Sequence, residues 1–160
     1  MANHRATIAW KSDADAATMR AGRYTRKHTW TFDGGAVVDA SSSPSVVPLP
    51  YSDAAGVDPE EALVASLSSC HMLTFLHEAR KLGFAVRAYN DEAVGEMAKN
   101  ERGVPWVSKV VLRPVIAFSP ERSPSAEELA HLHHLAHENC FIAQSVRTVV
   151  EVADAAQKPQ

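Results

Sequence analysis

Residues 58–83 read DPEEALVASLSSCHMLTFLHEARKLG, and this stretch decides the fold. Asp58 is a good helix N-cap, Pro59 fits the first helical position, and Glu60 and Glu61 complement the positive end of the helix dipole. Leu63, Leu67, Cys70, Thr74 and His77 recur at helical spacing, while Met72, Leu73, Phe75 and Leu76 make the middle nearly apolar all round. A helix of that kind is expected to be central and buried. Lys81 and Gly83 mark its end.

Upstream, the pattern changes from helical to alternating. A short strand is expected from about His4 to Trp10, with Ala6, Ile8 and Trp10 on one side, followed by an irregular loop, SDADAATMRAG. In the next strand Arg26, His28, Trp30 and Phe32 share one face, and Lys27, Thr29 and Thr31 the other. Asp33-Gly34-Gly35 signals a hairpin into AVVDAS, so the first three elements read as an antiparallel meander. The segment SSSPSVVPLPYSDAAGVDP, with four prolines, reads as an ordered arm whose Val46, Val47, Leu49 and Tyr51 pack on something.

Downstream, VRAYNDEAVGEMAKN reads as one strand, turning at Asn100 to Gly103. WVSKVVLRPVIAF reads as a long strand with Pro114 at a bulge or edge. Ser125 followed by Glu127 and Glu128 announces a second helix to about Asn139, and SVRTVVEV from Ser145 a last strand. Strands, long helix, strands, helix and strand make an α+β domain. The expected organisation is one domain over residues 1–153 and a flexible tail over 154–160.

Composition bounds the function. A chain of 160 residues is one typical domain, which would bury about two-thirds of its unfolded surface without disulfides or metal. Sixteen Lys and Arg against 19 Asp and Glu leave a net charge of −3, which argues against a strongly electrostatic nucleic-acid binder. The basic cluster Arg20, Arg23, Arg26 and Lys27 is the local exception. No apolar run is long enough to span a membrane and MANHRATIAW lacks a signal-peptide core, so a cytoplasmic protein is expected.

The chemistry-bearing residues are the two cysteines and four of the eight histidines, His131, His133, His134 and His137. Cys70 and Cys140 are too far apart for a CxxC motif. Three readings stand open. The thiols are buried packing residues. Alternatively they form a reacting pair, in which one thiolate is oxidised by a peroxide and the other condenses with the resulting sulfenic acid. Such a thiolate needs a nearby cation, which Arg26 could supply, with Glu60 holding the arginine. As a third reading, His133, His137 and Cys140, at i, i+4 and i+7, offer N/N/S ligands to zinc. Ser66, Ser68 and Ser69 beside His71 do not form a nucleophile elbow, and Gly34–Gly35 and Gly95 do not form a phosphate loop. Trp10, Trp30, Trp106 and Phe118 read as core or dimer contacts, with the alternative that one of them lines an apolar substrate pocket.

Asp58-Pro59-Glu60-Glu61, the apolar helix to Ser69-Cys70-His71, and the distant His137-Glu138-Asn139-Cys140-Phe141-Ile142 resemble the OsmC/Ohr family of osmotically induced and organic-hydroperoxide-resistance proteins. RYTRKHTWTFDGG and ENCFIAQSVRT resemble an OsmC-like subgroup. The resemblance implies antiparallel sheets wrapping long central helices in an intertwined homodimer. It implies a cofactor-free peroxidase for organic hydroperoxides, re-reduced by a dithiol such as a protein-bound lipoyl group. Cys70 then matches the peroxidatic cysteine, Cys140 the resolving one, and Glu60 the glutamate that orients the catalytic arginine. Arg26 is the arginine chosen; Arg23 or Arg20 would fit with an insertion in the loop. The rival functions are a non-enzymatic dimeric protein binding a small apolar ligand, and a His/Cys metal-binding protein.

Overall fold

A computed structural model describes residues 2–153, so the tail expected at 154–160 lies outside the described residues. The chain divides into two compact units, Met1–Ala62 and Leu63–Gln160.

In the first unit, β1 (Ala6–Ala9), β2 (His28–Phe32) and β3 (Val37–Ala40) form the antiparallel meander read from the alternation. Ile8 lies opposite Trp30, and Trp30 opposite Val38, so these three share one face of the sheet. The loop expected after Trp10 contains a short helix instead, α1 (Ala16–Arg20). Asp15 caps it by accepting the Thr18 N–H at 2.7 Å. Five residues carry too little periodicity to announce a helix, and the cap alone is the signal.

The proline-rich arm is ordered by its far end. Val57 forms a parallel bridge with Ala40. The Ser41 N–H donates to the Val57 carbonyl at 3.1 Å, and the Val57 N–H to the Asp39 carbonyl at 3.0 Å. Buried Ser41 accepts the Asp53 N–H on its hydroxyl at 2.9 Å, and Lys27 pairs with Asp53 at 2.7 Å. Val46 and Leu49, expected to pack, are each 64% exposed.

The long helix, α2, spans Pro59–Lys81 as its ends predict. The Glu61 N–H donates to the Asp58 carboxylate at 2.7 Å, and the Asp58 N–H returns to the Glu61 carboxylate at 3.1 Å. Gly83, at φ +80°, ends the helix, with the Phe84 N–H bonded back to the Ala79 carbonyl at 2.9 Å.

In the second unit the buried face of α2 is Leu67, His71, Phe75, Glu78 and Ala79, not the stripe through Cys70, Thr74 and His77. Leu73 is 60% exposed, so α2 is buried on one side only. Phe75 and Ala79 pack with Phe84 and with Leu132 and Ala136 of α3 (Ala126–Asn139). Leu67 packs with Val107, Val110 and Leu112 in a separate cluster. The second helix keeps its expected limits because Ser125 and Glu128 form a reciprocal cap.

Both long downstream strands break in two. VRAYNDEAVGEMAKN becomes β4 (Val86–Asp91) and β5 (Val94–Lys99), and WVSKVVLRPVIAF becomes β6 (Pro105–Leu112) and β7 (Pro114–Phe118). β4 pairs with β7, while β5 pairs with β6, so the chain changes sheet at both breaks. Asp91 joins the breaks by accepting the Arg113 N–H at 2.6 Å and the Ser68 hydroxyl. Pro114, lacking an N–H, stands at the first position of β7, where the ladder loses nothing. The last strand, β8 (Val149–Val152), is shorter than expected, because Ser145 closes a 3₁₀ turn (Ala143–Ser145) and residues 146–148 are irregular. It pairs in parallel with β6. The architecture is α+β with mainly antiparallel sheets, as expected.

Two features of the second unit make measurable predictions. A Cβ at Gly95 of β5 would stand 2.7 Å from Val64 Cγ2 and 3.4 Å from Val107 Cγ1. Gly95→Ala should therefore lower stability by about 1–3 kcal/mol in urea unfolding, and Val64→Ala in the same chain should recover part of the loss. A Gly95→Ala midpoint equal to wild type would contradict this packing.

His71, 1% exposed, stacks on His133 with ring centroids 5.4 Å apart, and its Nε2 lies 3.1 Å from His133 Nδ1. Burial holds both imidazoles down at about 4, the neighbouring His133 and His137 adding to the effect on His71 while Asp91 opposes it on His133. The unfolded chain binds these protons first, so the pair's contribution is present above about pH 6.5 and is lost as the pH falls towards 4. Urea midpoints taken across this window should fall steadily. His71→Leu/His133→Leu should flatten the fall, and an unchanged slope would contradict the neutral pair.

Candidate functional site

The second unit brings the two cysteines together. Cys70 sits midway along α2, part-buried, and Cys140 is the C-cap of α3, 1% exposed. The α3 helix ends there because Cys140 turns to extended backbone (φ −75°, ψ 111°), and the Ala143 N–H then donates to its sulfur at 3.4 Å. Burial pushes the Cys140 thiol up to about 11, the neighbouring Cys70 adding to the effect and the Ala143 N–H opposing it. Cys140 therefore keeps its proton at neutral pH.

Only Cys70 of the two faces open space. It lines a cleft of about 820 Å³ with Ser66, Ser69, Leu73, His77 and Phe141. Leu73 and Phe141 are 60% and 83% exposed, which gives the cleft an apolar rim. Glu78 on the same wall is paired with Lys81 at 2.8 Å, which holds its carboxyl below the usual range. Each sulfur has the other as a neighbour.

The histidine set read as zinc ligands does not converge. His133 turns its ring to His71 and Phe75, and among the described residues no group of three or more His, Cys, Asp or Glu is arranged to hold a metal ion. His134 pairs with Glu138 on the surface at 3.3 Å.

The first unit carries Arg26 and Glu60. Arg26 Nη1 donates to the carbonyls of Gly22, at 2.8 Å, and Tyr24, and its guanidinium carbon lies 3.7 Å above the Tyr24 ring. The Arg26 backbone N–H is held by the Tyr51 carbonyl at 2.8 Å. This seated cation lines an apolar pocket of about 470 Å³ with Ile8, Trp10, Met19, Tyr24 and His28. His28 Nε2 accepts the Trp30 indole N–H at 2.8 Å, so its Nδ1 carries the proton and donates to the Arg26 carbonyl at 2.8 Å. Arg20 and Arg23 are exposed and do not line the pocket. Glu60, in the first turn of α2, forms no ion pair with Arg26 among the described residues. In this structure the Arg26 guanidinium donates to the Gly22 and Tyr24 carbonyls.

Tyr24 and the Ala143 N–H escaped the sequence reading. The only trace of Tyr24 is its place two residues before Arg26, and a backbone donor leaves none. No helix of the described residues is long and apolar enough to cross a membrane.

The sequence pattern of the family described as OsmC-like protein matches residues 52–153. An OsmC-like protein of unknown function from Vibrio cholerae is 52% identical, with a TM-score of 0.90 over 96% of this chain and 99% of that one. Two more distant structures share the fold. An organic hydroperoxide resistance protein from Elizabethkingia anophelis is 17% identical, with a TM-score of 0.68 over 95% of this chain and 93% of that one. The organic hydroperoxide resistance protein OhrB of Bacillus subtilis is 17% identical, with a TM-score of 0.60 over 94% of each chain. No curated protein matches the sequence. With the motifs around both cysteines inside the matched region, and a half-identical relative over nearly its whole length, the chain belongs to the OsmC/Ohr family as an OsmC-like protein.

Proposed function

We propose that the protein is a thiol peroxidase that reduces organic hydroperoxides to alcohols. The observation that carries this reading is the asymmetry of the cysteine pair. Cys70 opens on a cleft, while Cys140 is buried against it and meets no other reactant.

In the first step the Cys70 thiolate attacks the terminal oxygen of the hydroperoxide. The O–O bond breaks, the alkoxide leaves and takes a proton as the alcohol, and Cys70 becomes a sulfenic acid. In the second, the Cys140 sulfur bonds to Cys70, the S–O bond breaks, and the oxygen leaves as water with the proton of the Cys140 thiol. A dithiol, of which a protein-bound lipoyl group is the expected type, then reduces the disulfide by exchange. Sulfur carries the two-electron change, so the cycle calls for no cofactor.

Arg26 is the proposed cation for the Cys70 thiolate and for the charge developing on the leaving oxygen. Its seat on two carbonyls and a tyrosine face supports the choice over Arg20 and Arg23, because a fixed charge stabilises a transition state without reorganising. Glu60 is proposed as its carboxylate partner during reaction. A homodimer is part of this reading. The first unit leaves Ile8 and Phe32 exposed on one sheet face, at 60% and 39%, and the second leaves Leu73 and Phe141 exposed at the Cys70 cleft, apolar surface that a second copy of the chain would cover. Two free thiols fit a reducing, cytoplasmic compartment. The apolar pocket of the first unit favours a second reading, a small-ligand binder in which the thiols do no chemistry.

Turnover of cumene hydroperoxide with reduced lipoamide separates the two. Wild type should turn over, Cys70→Ser should not, and Cys140→Ser should stall as a sulfenic acid that dimedone captures at Cys70. Arg26→Met should slow oxidation of Cys70 by about 10²–10³-fold. Equal peroxide consumption by wild type and Cys70→Ser would overturn the peroxidase reading and leave the ligand binder.

A further inference from the structure

The pocket of the first unit has walls that are fixed before any ligand arrives. The Trp10 indole N–H donates to the Thr25 carbonyl at 2.8 Å, which holds the ring at one angle. Tyr24 meets that ring edge-on, with centroids 5.7 Å apart and planes at 73°. Arg26 lies on Tyr24 and is tied by Nη1 to the same loop. Trp10 is nevertheless 44% exposed, so the corner is rigid and open at once. The indole donor is spent on the protein, and Ile8 and Met19 complete an apolar lining. Among the described residues the remaining N–H groups of the Arg26 guanidinium have no protein acceptor, and they are the charged donors at this wall, which Ser41 and Ser42 also line.

From this we infer that the pocket is an aryl-selective ligand site, in which Trp10 and Tyr24 favour a rigid aromatic small molecule bearing one oxygen function over a straight alkyl chain of equal carbon number. A fixed right-angled pair of rings gains stacking or edge-to-face contact only from a flat partner. A straight chain finds no matching groove and loses the freedom of each bond it immobilises. The ligand's oxygen is directed to Arg26, whose unspent N–H groups suit a hydroxyl, a hydroperoxyl or a carboxylate. A volume of about 470 Å³ is within the range of small-molecule sites and ample for a substituted benzene.

That the natural ligand is an aryl hydroperoxide rests on the peroxidase reading; the preference for an aryl group does not. A plain apolar pocket would instead rank ligands by buried area and so favour fatty-acid chains.

The test uses reduced, full-length protein and two stable alcohols of equal carbon number, 2-phenyl-2-propanol and 1-nonanol, titrated by calorimetry and by the NMR shift of the Trp10 indole N–H. The aryl alcohol should bind about tenfold more tightly and move the Trp10 signal. Trp10→Leu and Tyr24→Leu should each bring the ratio close to one, whereas Tyr24→Phe, which keeps the ring, should retain it. Equal affinities, a preference for 1-nonanol, or no binding of either alcohol would overturn the inference, the last because the groove would then be filled by protein. Peroxide oxidation of Cys70, measured on the same preparation, keeps the two ideas apart. Oxidation with a ratio of one sinks only the aryl site, and a tenfold ratio without oxidation sinks only the peroxidase.

Discussion

The contact between α2 and α3 is the constraint on which the pairing of the two cysteines depends. Phe75 and Ala79 interlock with Leu132 and Ala136, and His71 stacks on His133 in the same layer. That packing sets the height of one helix against the other. The residue before His71 and the residue that caps α3 are then brought within reach, although 70 positions separate Cys70 from Cys140. Close-packed layers resist sliding, so the sulfur pair inherits the rigidity of an apolar core that contains neither sulfur's reactive face. The histidine pair adds a polar key to the same interface, and its orphan His71 Nδ1 is part of the cost of keeping two neutral rings there.

Burial then divides the labour between two chemically identical side chains. One thiol is sealed, keeps its proton and has only the other sulfur to react with; the second opens on a cleft with an apolar rim. In the proposed cycle an oxidant arriving from solvent meets Cys70 first, and a sulfenic acid formed there has Cys140 as its neighbour. In the same proposal, protection from further oxidation comes from disulfide formation competing with a second peroxide. The fixed Arg26 of the first unit carries the complementary kind of preorganisation, a cation immobilised by its own loop.

Local chemistry made the helices readable. Asp58 with Glu61, and Ser125 with Glu128, are reciprocal caps whose partners lie three residues apart, so both helix starts stand where the residues place them. The meander was legible for the same reason, as alternation and a glycine turn are short-range signals. What stayed hidden depends on distant partners. Asp91 breaks two apparent strands by holding Ser68 and the Arg113 N–H, residues more than 20 positions away on either side. The buried face of α2 is shifted from the stripe of most regular apolar spacing, because His71 finds a partner in α3 while Leu73 has none. Arg26 and Glu60 could each be picked out as residues, yet the arginine's actual anchors are backbone carbonyls, and these are the same atoms in every sequence.

The most direct test of the paired thiols is the intact mass of reduced protein given one equivalent of cumene hydroperoxide, then alkylated and denatured. Position alone predicts loss of both alkylatable thiols and a mass two hydrogens below the reduced chain, with peptide mapping joining Cys70 to Cys140. Two thiols still free after prolonged exposure would contradict the account at its centre.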